Sequence, residues 1–250
     1  MNMQVTNMFI NYAHRGASAY APENTLSAFY LGLQMRANGI ETDVRRSKDG
    51  HLVLFHDDTM EKTAGIPGGV KDYTLEELRH ILIYGQPGFV PDHIVTLEEF
   101  LYLFGYRDLT FAVEIKERGV EEDTLNLIRK YGIADKCIFT SFDYPCLVRL
   151  RELDKEIRLG YLFEKLTAEN LQAGADIRCF QICPHVDALD REAVERLHRM
   201  GYSVRAWGIR DEEAMRRCLD AGVDGGMTIN FPDKLTEALE RSAEAVGSFG

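Results

Sequence analysis

The chain has 250 residues, 45% hydrophobic and 28% charged, a globular composition that excludes a disordered or fibrous protein. Forty acidic residues against 29 basic ones give a net charge of −11 at pH 7, which argues against nucleic acid as a partner. An anionic substrate therefore needs a local concentration of positive charge, and the length suits one or two domains, with the α/β barrel among single domains of this size.

The stretch through Tyr12 has neither a basic n-region nor a long apolar run, so no signal peptide or membrane span is expected. In chain order, short runs rich in β-branched and aromatic residues predict strands over 9–14, 39–46, 52–56, 110–116, 137–141, 158–163, 179–183, 202–207 and 225–229. Amphipathic stretches lie between most of them. Pro22 marks the start of the first helix, and Gly39 follows its end. Thr74-Leu-Glu-Glu77 and Thr96-Leu-Glu-Glu99 read as capping boxes. Asp190 and Asp211 read as N-caps, with Gly201 and Gly222 as stops. The five cysteines (Cys137, Cys146, Cys179, Cys183 and Cys218) are odd in number and form no CxxC pair. They read as small buried hydrophobes of a reducing compartment, the cytoplasm.

Repeated β-then-α units imply a parallel sheet with helical crossovers. Nine strands exceed the eight of a TIM barrel by one. Only Ser47-Lys48-Asp49-Gly50-His51 separates the second from the third, too few residues for a parallel crossover, and Asp49-Gly50 is a hairpin turn signal. The third strand is thus expected antiparallel to the second, as a hairpin at the rim of a (β/α)8 barrel. A turn centred near Asp49 pairs residues whose numbers sum to about 98 and sets His56 opposite Thr42, between Glu41 and Asp43. Residues 57–100, with Gly65, Pro67, Gly68, Gly69, Pro87, Gly88 and Pro91, break the alternation. They read as a cap inserted into one domain spanning 1–250.

Barrel enzymes build their sites at the C-terminal ends of the strands. Polar residues gather there: His14-Arg15-Gly16, Glu41-Thr42-Asp43, His56-Asp57 and Glu114-Ile115-Lys116. Residues two apart on a strand share a face. Glu41 and Asp43, and Glu114 and Lys116, therefore point together into the barrel mouth, while Ile40, Val44, Val113 and Ile115 face the covering helices. Each such pair is common alone; four of them at four strand ends are not. Three converging carboxylates repel unless a cation binds them, and all-oxygen ligation selects Mg2+ or Ca2+ over Zn2+. With that ion, Arg15 and Lys116, the site carries one positive charge, suited to a monoanionic phosphodiester.

The ordered series His14-Arg15-Gly16, Pro22-Glu23-Asn24-Thr25, Glu41-Thr42-Asp43, Asp49-Gly50, His56-Asp57, Glu114-Ile115-Lys116 and Ser141-Phe142 resembles the glycerophosphodiester phosphodiesterases. Trp207 and Gly222-Val223-Asp224-Gly225 extend the match over essentially the whole chain. The resemblance implies a barrel with an inserted cap that hydrolyses glycerophosphodiesters to sn-glycerol 3-phosphate and an alcohol. It also implies Glu41, Asp43 and Glu114 as metal ligands, His14 and His56 as the acid/base pair, and Arg15 and Lys116 on phosphate. Asn24 could serve substrate or metal, or cap a helix; Trp207 could stack on the glycerol backbone or pack in the core. His51, His80, His93, His185 and His198 read as ordinary structural or surface residues. Two departures stand out. Trp207 continues as Gly208-Ile209-Arg210 where many relatives have Thr-Val-Asn, and Asn230 stands where Asp is frequent. The alternatives are a lysophospholipase D-like hydrolase of larger lipids and a catalytically silent phosphodiester-binding protein. The expected partner is a small molecule, and a homodimer is compatible with this reading.

Overall fold

Residues 9–247 are described in a computed structural model. Eight parallel strands close on themselves: β1 (Asn11–His14), β2 (Gly39–Arg46), β6 (Thr110–Ile115), β7 (Cys137–Ser141), β8 (Arg158–Phe163), β9 (Gln181–Pro184), β10 (Ser203–Ile209) and β11 (Gly226–Ile229), which returns to β1. The helices around them are α1 (Leu26–Gln34), α4 (Leu97–Phe104), α5 (Glu121–Lys130), α6 (Tyr144–Leu153), α7 (Ala168–Asp176), α8 (Arg191–Arg199), α9 (Glu212–Ala221) and α10 (Pro232–Gly247). This is the TIM barrel that alternating β and α units predict. Strands of such a sheet are covered on both faces, and seven of the eight residues of β2 are buried.

Outward residues of the strands make the apolar layer beneath the helices. Ile40, Val44, Val113 and Ile115 join it with Phe29, Phe100 and Phe104. The Phe29 and Phe100 rings meet edge to face at 4.8 Å. Side chains close the helix starts as their chemistry dictates: the boxes at Thr74 and Thr96 form, and Asp190 and Asp211 accept from Ala193 and Ala214. All five cysteines are buried and free.

Gly39 falls where the expected strand 39–46 begins. Helix α1 stops at Gln34, and Gly39 opens β2 because a Cβ there would lie 2.5 Å from Ile10 Cγ2 and 2.8 Å from Tyr12 Cδ1. Pro22 lies before the helix rather than in it, with its carbonyl accepting from the N-cap Thr25 hydroxyl at 2.5 Å. The eighth expected strand runs on to Ile209, its register with β11 shifting between Ala206 and Ile209.

Strand β3 (Leu52–Leu54) pairs antiparallel with β2, Val44 facing Leu54, Arg45 facing Val53 and Arg46 facing Leu52. The chain beyond it carries α2 (Glu61–Ala64), α3 (Leu75–Leu78), β4 (Leu82–Ile83) and β5 (Asp92–His93). A second apolar cluster underlies this segment, in which Met60, Val70, Leu78 and Ile83 pack on Val53 and Phe55. Among the described residues, no helix is long and apolar enough to cross a membrane.

Candidate active site

The barrel mouth brings the three acidic residues together. Oxygen atoms of Glu41, Asp43 and Glu114 lie within 4.8 Å of one another, and all three residues are buried. Strand pairing explains the meeting: Asp43 of β2 is directly opposite Glu114 of β6, and Glu41 shares its face with Asp43. Burial and the Asp43 charge push both Glu41 and Glu114 above the ordinary carboxylate range. Asp43 goes the other way. Against the burial that would raise it, Arg15, Lys116 and an Asn24 hydrogen bond hold its pKa at about 2.

Asn24 serves this carboxylate and does not cap the helix. Its Nδ2 donates to Asp43 Oδ2 at 2.9 Å, while its Oδ1 accepts from the Thr42 hydroxyl at 2.8 Å. Thr25 takes the N-cap position. Asp43 Oδ1, by contrast, is buried with no hydrogen-bond partner.

Both histidines line one cavity of about 480 Å3 over the trio, together with Arg15, Glu41, Glu114 and Trp207. His14 ends β1, and its Nδ1 is 2.5 Å from Asn230 Oδ1, with Nε2 3.8 Å from Glu41 Oε2. Burial, then the neighbouring Arg15 charge, push this imidazole well below its ordinary pKa, so it is neutral at pH 7. His56 arrives from the hairpin. The Phe55 amide donates to the Asp43 carbonyl at 3.0 Å, and Arg45 clasps the His56 carbonyl from Nε at 3.1 Å and Nη2 at 2.7 Å. The His56 Nδ1 lies 2.6 Å from Asp57 Oδ1.

The two cations sit among the carboxylates. Arg15 Nη1 contacts both Glu23 oxygens at 2.9 Å, and its Nε lies 3.4 Å from Asp43. Lys116 Nζ is 2.7 Å from Glu114 and 3.9 Å from Asp43, below the Phe142 ring. Trp207 forms the opposite wall. It donates from Nε1 to the Cys183 carbonyl at 3.0 Å and meets Phe142 and His185 edge to face at 4.9 and 4.7 Å.

Three residues here had no site role from the sequence. His185 lines the cavity beside Trp207 and is no ordinary surface histidine. Asn230 fixes the ring of His14. Arg205 is 1% exposed, over the Tyr12 ring at 5.0 Å, with Nε and Nη1 lacking hydrogen-bond partners. Its position two residues before Trp207 on one strand was the available signal, since both must then face the interior.

This geometry meets the known proteins at the level of a family. Residues 14–234 match the family model of the glycerophosphoryl diester phosphodiesterases. The chain belongs to that family. A glycerophosphodiester phosphodiesterase of Caldanaerobacter subterraneus is 33% identical over 237 residues, 92% of this chain and 97% of that protein. A phosphodiesterase of Oleispira antarctica, solved with its product sn-glycerol-3-phosphate, superposes with a TM-score of 0.82 at 28% identity, over 92% of this chain and 96% of that one. The glycerophosphodiester phosphodiesterase of Thermotoga maritima gives a TM-score of 0.74 at 27% identity, over 95% of this chain and all of its own. The protein is thus an enzyme of phosphodiester hydrolysis, and the family's need for a divalent metal matches its buried acidic trio.

Proposed function

We propose that this chain hydrolyses glycerophosphodiesters to sn-glycerol 3-phosphate and an alcohol, with His14 and His56 as its acid/base pair. The observation that carries this reading is the placement of two imidazoles in one cavity over three buried carboxylates. Binding alone needs no acid/base couple.

Glu41, Asp43 and Glu114 fit a hard divalent cation, Mg2+ or Ca2+: their donors are all oxygen, and Asp43 Oδ1 is buried without a partner. Such an ion, when bound, supplies electrostatic stabilisation of charge on the phosphoryl oxygens. Arg15 is oriented before substrate arrives by Glu23 and Asp43, and Nη2 is the nitrogen we assign to phosphate. Lys116 adds a point charge beside it. Trp207 walls the glycerol side.

The two histidines have unlike partners, which supports a division of roles between them. An amide oxygen faces His14 Nδ1, so this nitrogen carries the proton and Nε2 keeps its lone pair. His14 therefore takes the proton from the attacking water as its oxygen bonds to phosphorus. His56 Nδ1 faces a carboxylate, which accepts the Nδ1 proton and leaves Nε2 turned to the cavity as the nitrogen we assign to the leaving group. Its Nε2–H then protonates the departing alkoxide as the phosphorus–oxygen bond breaks. Residues 57–100 act as a cap within a single domain, a reading supported by their own apolar cluster seated on the hairpin.

Purified protein incubated with glycerophosphocholine should release glycerol 3-phosphate in the presence of Mg2+ or Ca2+. A folded, metal-loaded protein that releases none from any glycerophosphodiester overturns the assignment.

A further inference from the structure

The catalytic cavity continues sideways past Trp207 into a larger hollow of about 770 Å3, the two sharing His185, Trp207 and Arg210 in their walls. Lys165, Arg196 and Arg210 converge on this hollow from the segment after β8, from α8 and from the residue after β10. Among the described residues, none of the three forms an ion pair. Elsewhere in this acidic chain exposed cations find carboxylates readily, as Lys130 does with Glu98 and Arg149 with Glu122. Two carboxylates, Glu164 and Asp187, also border the hollow, and Asp187 lies 3.9 Å from Arg217. A chain of net charge −11 thus sets three cations that form no ion pair against two carboxylates around one concavity, open to its catalytic centre.

We propose that this hollow is a subsite for a second phosphate of the substrate. The favoured substrates are then glycerophosphodiesters that carry a further phosphate beyond the scissile one. Leu166, Ala193 and the Trp207 ring offer an apolar wall for the intervening carbons. Arg196 and Arg210 can each grip a phosphate through a planar fork, and Lys165 adds a point charge. Lys165 and Arg196 border only the outer hollow, which separates them from the scissile phosphate. The inference rests on the phosphodiesterase reading above, and the test distinguishes the two.

Three substrates are compared with the metal-loaded enzyme: glycerophosphocholine, glycerophosphoglycerol, and glycerophosphoglycerol bearing a terminal phosphate monoester. The third should show kcat/KM about tenfold above the second, chiefly through KM, with the advantage shrinking as salt rises. A Lys165→Ala/Arg196→Ala double variant should erase that ratio. Both side chains are exposed, so folding is not at stake. Equal kcat/KM for the second and third substrates overturns the subsite and leaves the phosphodiesterase reading standing. So does a ratio that survives in the double variant. Hydrolysis of none of the three overturns both.

Discussion

At the scale of single residues, the site is governed by which charges face each other without water. His56 is held by its Asp57 partner and by the Arg45 clasp on its carbonyl, in the position we propose for the general acid. His56→Ala is therefore expected to lower kcat by about 10²–10⁴, the span of a general acid or base, with the circular dichroism of the fold unchanged. Near-normal turnover in a folded variant would remove His56 from the mechanism. Arg205 offers the opposite experiment. A buried guanidinium with two unpaired nitrogens contributes little to stability, and an apolar residue of similar volume often does better. Arg205→Met should melt no lower than the parent while kcat/KM falls about tenfold, because one positive charge leaves the floor of the site. A fall in melting temperature with unaltered kcat/KM would make Arg205 a structural residue only.

At the scale of elements, the hairpin and the bulged end of β10 place what the barrel itself does not. The pairing sum of 98 follows from local turn chemistry, and the same sum continues through the Phe55–Asp43 bond that delivers His56. Gly208 is set by crowding: its φ is +76° and a Cβ would sit 2.3 Å from the His185 ring. That contact, with the positive φ, favours glycine after the tryptophan in this chain. Gly208→Ala should cost about 1–3 kcal/mol from backbone strain and overpacking. It should also raise KM, because His185 and Trp207 share an edge-to-face contact at 4.7 Å. Denaturant titration and steady-state kinetics check both effects, and an unchanged KM would detach the His185–Trp207 wall from substrate binding.

At the scale of the whole molecule, barrel closure forces like charges together, and the divalent cation we propose would relieve them. Chelation is expected to abolish activity, and Mg2+ or Ca2+ to restore it. The same ion should protect the fold, by about 2.7 kcal/mol at a hundredfold excess over Kd, readable as a rise in melting temperature without any substrate. Full activity after exhaustive chelation, with no thermal shift on adding either ion, would mean that Lys116 and Arg15 alone balance the three carboxylates.

Local chemistry determined much of this in advance. Strand and helix periods, threonine and aspartate caps and the Asp49-Gly50 turn are short-range effects, so they could be read directly, as could the barrel they add up to. The pairing of Glu41 with Asp43 was equally legible, because alternation along a strand depends only on neighbouring residues. Partnerships between distant segments were not. Asn230 on His14, Arg205 in the cavity of the acidic trio and the hollow beyond Trp207 join segments separated by tens to hundreds of residues, and no periodicity records them. Tertiary packing alone set these contacts, because a closed barrel carries side chains from all eight strands into one small interior where each must find its charge and hydrogen-bond partners.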